Sequence, residues 1–136
     1  MKFVDTNIFI RFLAADDEKK SEACYRLFQR VQKGEESITT TEAIVAEVVY
    51  VLSSPTLYRL SHEEVAARLA PILSLRGLLL RHKRTYLRAL DLYASHRFLD
   101  FEDALAVAHM ERQHITEIVT YDRDFDRVPG IKRSEP

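Results

Sequence analysis

The chain has 136 residues, enough for one domain with a sizeable core. Apolar residues make up 46% and charged residues 30%, the balance of an ordinary soluble globular domain, and the net charge of −1 excludes a uniformly basic nucleic-acid-binding surface while leaving room for a local basic patch. One cysteine, Cys24, excludes an internal disulfide framework and fits a reducing, cytoplasmic compartment. No apolar run is long enough to span a membrane, and the start lacks the basic head and small-residue cleavage site of a signal peptide. Gly34, Gly77 and Gly130 are isolated, so no glycine-rich phosphate loop exists.

The first ten residues set the problem. Phe3 and Val4 read as the end of a buried strand, and a short helix is expected over 7–13. Asp5 then lies at the carboxyl end of a strand, where open α/β sheets bind ligands, between two apolar runs where an unpaired carboxylate is costly. Asp16, Asp17 and Glu18 open a second helix, with Ala23, Cys24, Leu27, Phe28 and Val31 on its apolar side and Gly34 as its stop. Residues 37–40 are β-branched and predict a second strand. Residues 41–52 predict a mostly apolar helix, broken by Ser53, Ser54 and Pro55. Thr39 followed by Glu42 fits a capping box, which makes Glu42 structural.

Ser61 with Glu64 is a second capping box, opening a helix that carries Leu69, Ile72, Leu73 and Leu75. Residues 77–80 predict a third strand and residues 83–96 a leucine-rich helix. Asp100 caps a helix over 101–113. Ile118, Val119 and Thr120 form a fourth strand, and residues 129–133 add a short edge strand. Strands alternating with helices imply parallel βαβ units. The expected fold is one domain over 1–136, a three-layer α/β/α sandwich with a small parallel β-sheet.

Among 21 acidic residues, a few resist assignment to a solvated face. Glu47 lies in an otherwise apolar helix and reads as a buried-edge carboxylate held for a cation. Asp103 begins the buried stripe that continues through Ala106, Val107 and Met110, whereas Asp100 fits a cap. Asp122 follows a strand as Asp5 does. Asp124 and Asp126 fit an acidic turn. Carboxylates at Asp5, Glu47, Asp103 and Asp122 converge only if a cation neutralises them, because like charges raise one another's pKa. All-oxygen ligation suits Mg²⁺ or Mn²⁺, and zinc is disfavoured because there is one cysteine and the five histidines show no HExxH spacing. Carboxylates with Mg²⁺ suit phosphodiester chemistry, in which Thr6, Asn7 and Thr120 position water or phosphate. Arg11, Arg81, Lys83, Arg84, Arg88 and Arg123 are candidates for holding a nucleic-acid backbone, each individually also a plain surface charge.

Four stretches in order resemble the PIN domain, and within it the VapC-type ribonuclease toxins of toxin–antitoxin systems. They are Val4, Asp5, Thr6, Asn7 and Ile8; residues 41–48, ending Glu47 and Val48; residues 100–108, running Asp, Phe, Glu, Asp, Ala, Leu, Ala, Val, Ala; and Thr120, Tyr121, Asp122, Arg123, Asp124 and Phe125. The resemblance implies a Mg²⁺- or Mn²⁺-dependent endoribonuclease whose catalytic, metal-binding acids fall on Asp5, Glu47, Asp103 and Asp122, with Asp124 auxiliary. It implies hydrolysis by metal-activated water, a homodimer, and a cognate VapB-like antitoxin whose tail blocks the acidic groove. A non-toxin PIN nuclease and a silent RNA- or protein-binding PIN module are the alternatives. A haloacid-dehalogenase-like phosphatase needs an aspartate where Asn7 stands, and a receiver domain needs a lysine that residues 120–124 lack.

Overall fold

A computed structural model describes residues 1–14 and 17–136. Among these residues the chain forms six α-helices, one 3-10 helix and four short strands. β1 (Lys2–Phe3) pairs in parallel with β2 (Ile38–Thr39), in the register Lys2 to Ile38 and Phe3 to Thr39. Between them run α1 (Thr6–Ala14) and α2 (Glu18–Gln32). Asp17 caps α2, its side chain accepting from Lys20 N at 3.0 Å, and Gly34 takes a φ of +78° just beyond Lys33, the residue that ends it. Asp16, expected in the first turn, lies outside the described residues. Cys24, Phe28 and Val31 form the buried face, but Ala23 is exposed. Phe28 stands between the rings of Phe9 and Phe12, at 5.7 and 4.9 Å, and so locks α2 onto α1.

α3 (Glu42–Ser53) is capped by Thr41, whose hydroxyl accepts from Ile44 N at 3.3 Å. This corrects the expected capping box. Thr39 belongs to β2 and donates its hydroxyl to Leu79 O at 2.6 Å, while Glu42 bonds His109 Nε2 at 2.7 Å. α4 (His62–Leu73) starts at Ser61, which accepts from Glu64 N as expected. The expected strand over 77–80 reduces to a single parallel bridge, Ile38 to Leu78. α5 (Lys83–Ser95) and α6 (Phe101–Arg112) follow. β3 (Glu117–Val119) pairs in parallel with β4 (Lys132–Ser134), which starts three residues after the expected edge strand over 129–133 and ends one residue beyond it. Arg123–Arg127 between them is a 3-10 helix.

The sheet is therefore smaller and more divided than expected: among the described residues, ladders join β1 to β2 and β3 to β4, and none joins the two pairs. Packing is carried by helices. α1 packs on α2 and α3, α3 on α4 and α6, and α5 on α4 and α6. Val48, Leu52, Leu73, Leu90 and Ala104 all lie in one continuous buried cluster. Among the described residues no helix is long and apolar enough to cross a membrane.

Candidate functional site

Asp5 is placed by the two residues before it. Val4 is buried, its N–H donates to Thr39 O at 2.9 Å, and its carbonyl accepts from the buried Thr40 hydroxyl at 2.8 Å. The backbone is thus fixed up to the residue where it leaves the core, and Asp5 emerges exposed at the strand end. One residue on, Thr6 Oγ1 donates to Glu47 Oε2 at 2.6 Å and stitches the start of α1 to the middle of α3. Glu47 is exposed, which corrects the buried-edge expectation: Ala43, Glu47 and Tyr50 form one exposed strip of α3, while Val45, Val48, Val49 and Leu52 face inward. Asn7 is exposed and lines a separate hollow with Ile8, Arg11 and Cys24.

A second group of acids gathers where α6 begins and β3 ends. The Asp100 carboxylate caps α6 by accepting from Asp103 N at 2.8 Å. Asp103 is half-buried, and its pKa is pushed up to about 6, first by burial and then by the charges of Asp100, Asp122 and Asp124. Asp122 leaves β3 and caps the 3-10 helix, its Oδ1 accepting from Asp124 N at 2.9 Å while its own N–H donates to Thr120 Oγ1 at 3.1 Å. Asp124 and Asp100 therefore act on Asp103 alongside Asp122. Asp126 stands apart and pairs with Arg133 at 3.1 Å.

The arrangement has two halves, one of Asp5, Thr6 and Glu47 and one of Asp100, Asp103, Asp122 and Asp124. Among the described residues, no three His, Cys, Asp or Glu side chains lie close enough together to hold a metal ion. The donor set still fits a hard divalent cation, because every candidate is a carboxylate and the second half carries mutual repulsion without a basic partner on Asp103.

Sequence reasoning missed the residues that support these acids. His62 bonds Leu99 O at 2.7 Å and stacks on Tyr93 with ring centroids 3.8 Å apart, fixing the loop that presents Asp100. Arg133 donates to Thr120 O at 3.2 Å and to Asp126 and Glu135, fixing the loop that presents Asp122. No spacing rule links partners so far apart in the chain.

A match to the PIN domain covers residues 2–131. The chain is similar to a VapC ribonuclease of Mycobacterium bovis and to ribonuclease VapC13 of Mycobacterium tuberculosis, each 26% identical over 98% of both chains. It is 27% identical to a VapC ribonuclease of Aquifex aeolicus over all of this chain and 97% of the other. Asp5, Glu47, Asp103 and Asp122 all fall within the matched span, and the chain belongs to the PIN domain family.

Proposed function

We propose that this protein is a Mg²⁺- or Mn²⁺-dependent endoribonuclease, the toxin of a toxin–antitoxin pair. The observation that carries the reading is geometric: Asp100, Asp103, Asp122 and Asp124 gather at the start of α6 and the end of β3, in a chain matched to the PIN domain almost throughout. The names of its relatives supply the substrate class, and the toxin role follows from the resemblance of its four motifs to VapC-type toxins.

Asp103 and Asp122 would hold the cation with Asp5 and Glu47, and Asp124 and Asp100 would adjust its field. A bound divalent cation supplies Lewis acidity toward water and phosphate. The chain's own contribution is positional. Thr6 orients Glu47, Asp100 fixes the first turn of α6, and Thr120 fixes the backbone of Asp122. Hydrolysis adds water across the P–O3′ bond, leaving a 5′-phosphate on one product and a 3′-hydroxyl on the other. A VapB-like antitoxin would present a basic side chain to the acids, and a homodimer is the proposed assembly.

The test is cleavage of RNA by purified protein with Mg²⁺, with Mn²⁺ and in chelator. Cleavage should require the metal, and Asp103→Asn or Asp5→Asn should lower the rate by about a hundredfold or more. Cleavage persisting in chelator would overturn the proposal. A second reading, an RNA-binding module that does not cut, is favoured by the lack, among the described residues, of any three His, Cys, Asp or Glu side chains close enough together to hold a metal ion, and it predicts RNA binding with no metal-dependent products.

A further inference from the structure

A cavity of about 540 Å³ opens between the start of α5 and the end of α6, at the opposite end of α6 from Asp103. Lys83, Arg84, Arg88 and Arg112 line it against a single acid, Glu111. That local excess of three positive charges stands on a chain whose net charge is −1.

The excess is not consumed by the fold. Arg88 is neutralised by Glu111 through two bonds, at 2.8 and 3.0 Å, and Lys83 Nζ is spent on Leu75 O at 2.6 Å. Arg84, Arg112 and the neighbouring Arg81 are exposed and make no hydrogen bond or ion pair among the described residues. Their field is felt locally: the charge of Arg112, with burial and then Arg81 and His109, holds His82 below its ordinary pKa. His82 itself has a φ of +59° and gives α5 no side-chain cap, so the positive end of that helix also faces this region.

We infer that this cavity binds backbone phosphates of RNA, as an anchor separate from the acidic site. Unpaired guanidiniums on separate stems suit several phosphates of one strand better than a single small anion. The nine-residue step from Asp103 to Arg112 is roughly 13 Å along α6 and about half a turn around it. Only an RNA long or folded enough to pass round the end of α6 reaches both places. The anchor would therefore select longer or folded RNA over short oligonucleotides, with the acids doing the cutting. The inference rests on RNA being the substrate.

The test compares wild type with the double variant Arg84→Ala, Arg112→Ala. Neither side chain has a partner to orphan, and thermal unfolding of the variant should match wild type. Binding of a stem-loop RNA is measured in chelator across a salt series, and cleavage of that RNA and of a short single-stranded oligonucleotide is measured with Mg²⁺ or Mn²⁺. The anchor predicts stem-loop affinity weaker by on the order of tenfold, with a salt slope shallower by roughly one for each phosphate the variant no longer neutralises. KM for the stem-loop should rise while cleavage of the short oligonucleotide stays unchanged. Unaltered stem-loop affinity and slope would overturn the inference. So would a variant that loses binding of inorganic phosphate alone, which would make the cavity a small-anion site. A wild type that binds the stem-loop through these arginines yet never cuts RNA would overturn the nuclease reading and leave the anchor standing.

Discussion

Asp103 is where burial and like charge act on one carboxyl. Its folded pKa of about 6 lies above the ordinary value of 3.8, so the folded state binds this proton more tightly than the unfolded chain. The sign follows. Stability from this group is full below about 3.8, falls as pH rises toward about 6, and is then level. Because the side chain is half-exposed, solvent screening reduces the cost of ionising it to about 1 kcal/mol. Asp103→Asn removes that cost. In chelator above pH 6 the variant should melt about 3 °C higher than wild type, and the two should converge below pH 4. A gap that is constant with pH would show that the carboxyl is not under strain from its neighbours. Glu47 teaches the opposite lesson. Its apolar neighbours one turn away in the helix made it read as a buried-edge acid, but a helix packed on one face leaves a solvent strip, and Ala43 and Tyr50 share that strip with it. Apolar neighbours in sequence do not bury a residue that the packing turns outward.

At the level of elements, the helices were legible because their signals are local. The apolar period and the caps at Ser61 and Asp100 lie within a few residues of the turns they fix, and both caps stand as expected. The strands were less so. Residues 77–80 have the composition of a strand, yet among the described residues they form only one parallel bridge, Leu78 to Ile38. Gly77 explains the close approach there: a Cβ at this position would meet Val31 O at 2.7 Å and Glu36 O at 2.8 Å. Those are backbone atoms at the end of α2 and just beyond it, so they do not give way cheaply. Gly77 also holds its carbonyl 2.8 Å from Ile38 N, which ties the segment to β2. Gly77→Ala should therefore cost on the order of 1–3 kcal/mol, read as a lower urea midpoint at unchanged m-value. An unchanged midpoint would mean that the backbone there yields. The 3-10 helix after Asp122 went unforeseen because its determinant is a bond from Asp124 N to the Asp122 side chain, which looks like any acidic turn in sequence.

On the scale of the whole molecule, the acids are carried by two sets of elements that share one core. Asp5 and Glu47 ride on β1, α1 and α3, while Asp100, Asp103, Asp122 and Asp124 ride on α6, β3 and the 3-10 helix. Packing of α3 on α6 and the bond from His109 to Glu42 join these two sets of elements. The motif order in the sequence made all four core acids visible but not how the elements that carry them dock, because that depends on packing between helices far apart in the chain. A cation held by acids of both sets would couple them, because it would bind the folded arrangement and not the unfolded chain. Mg²⁺ or Mn²⁺ should then raise the melting temperature logarithmically with its concentration above Kd, for a gain in stability of about 2.7 kcal/mol at a hundredfold excess over Kd. Asp103→Asn and Asp122→Asn should each remove most of that gain. Asp5→Asn should remove it as well if the ion bridges the halves, and leave it intact if the ion sits on the α6 side alone. Monovalent salt at matched ionic strength is the control, because it also screens the repulsion around Asp103. An equal rise in Na⁺, or a full Mg²⁺ response in Asp103→Asn, would remove the acids from any role in holding a metal.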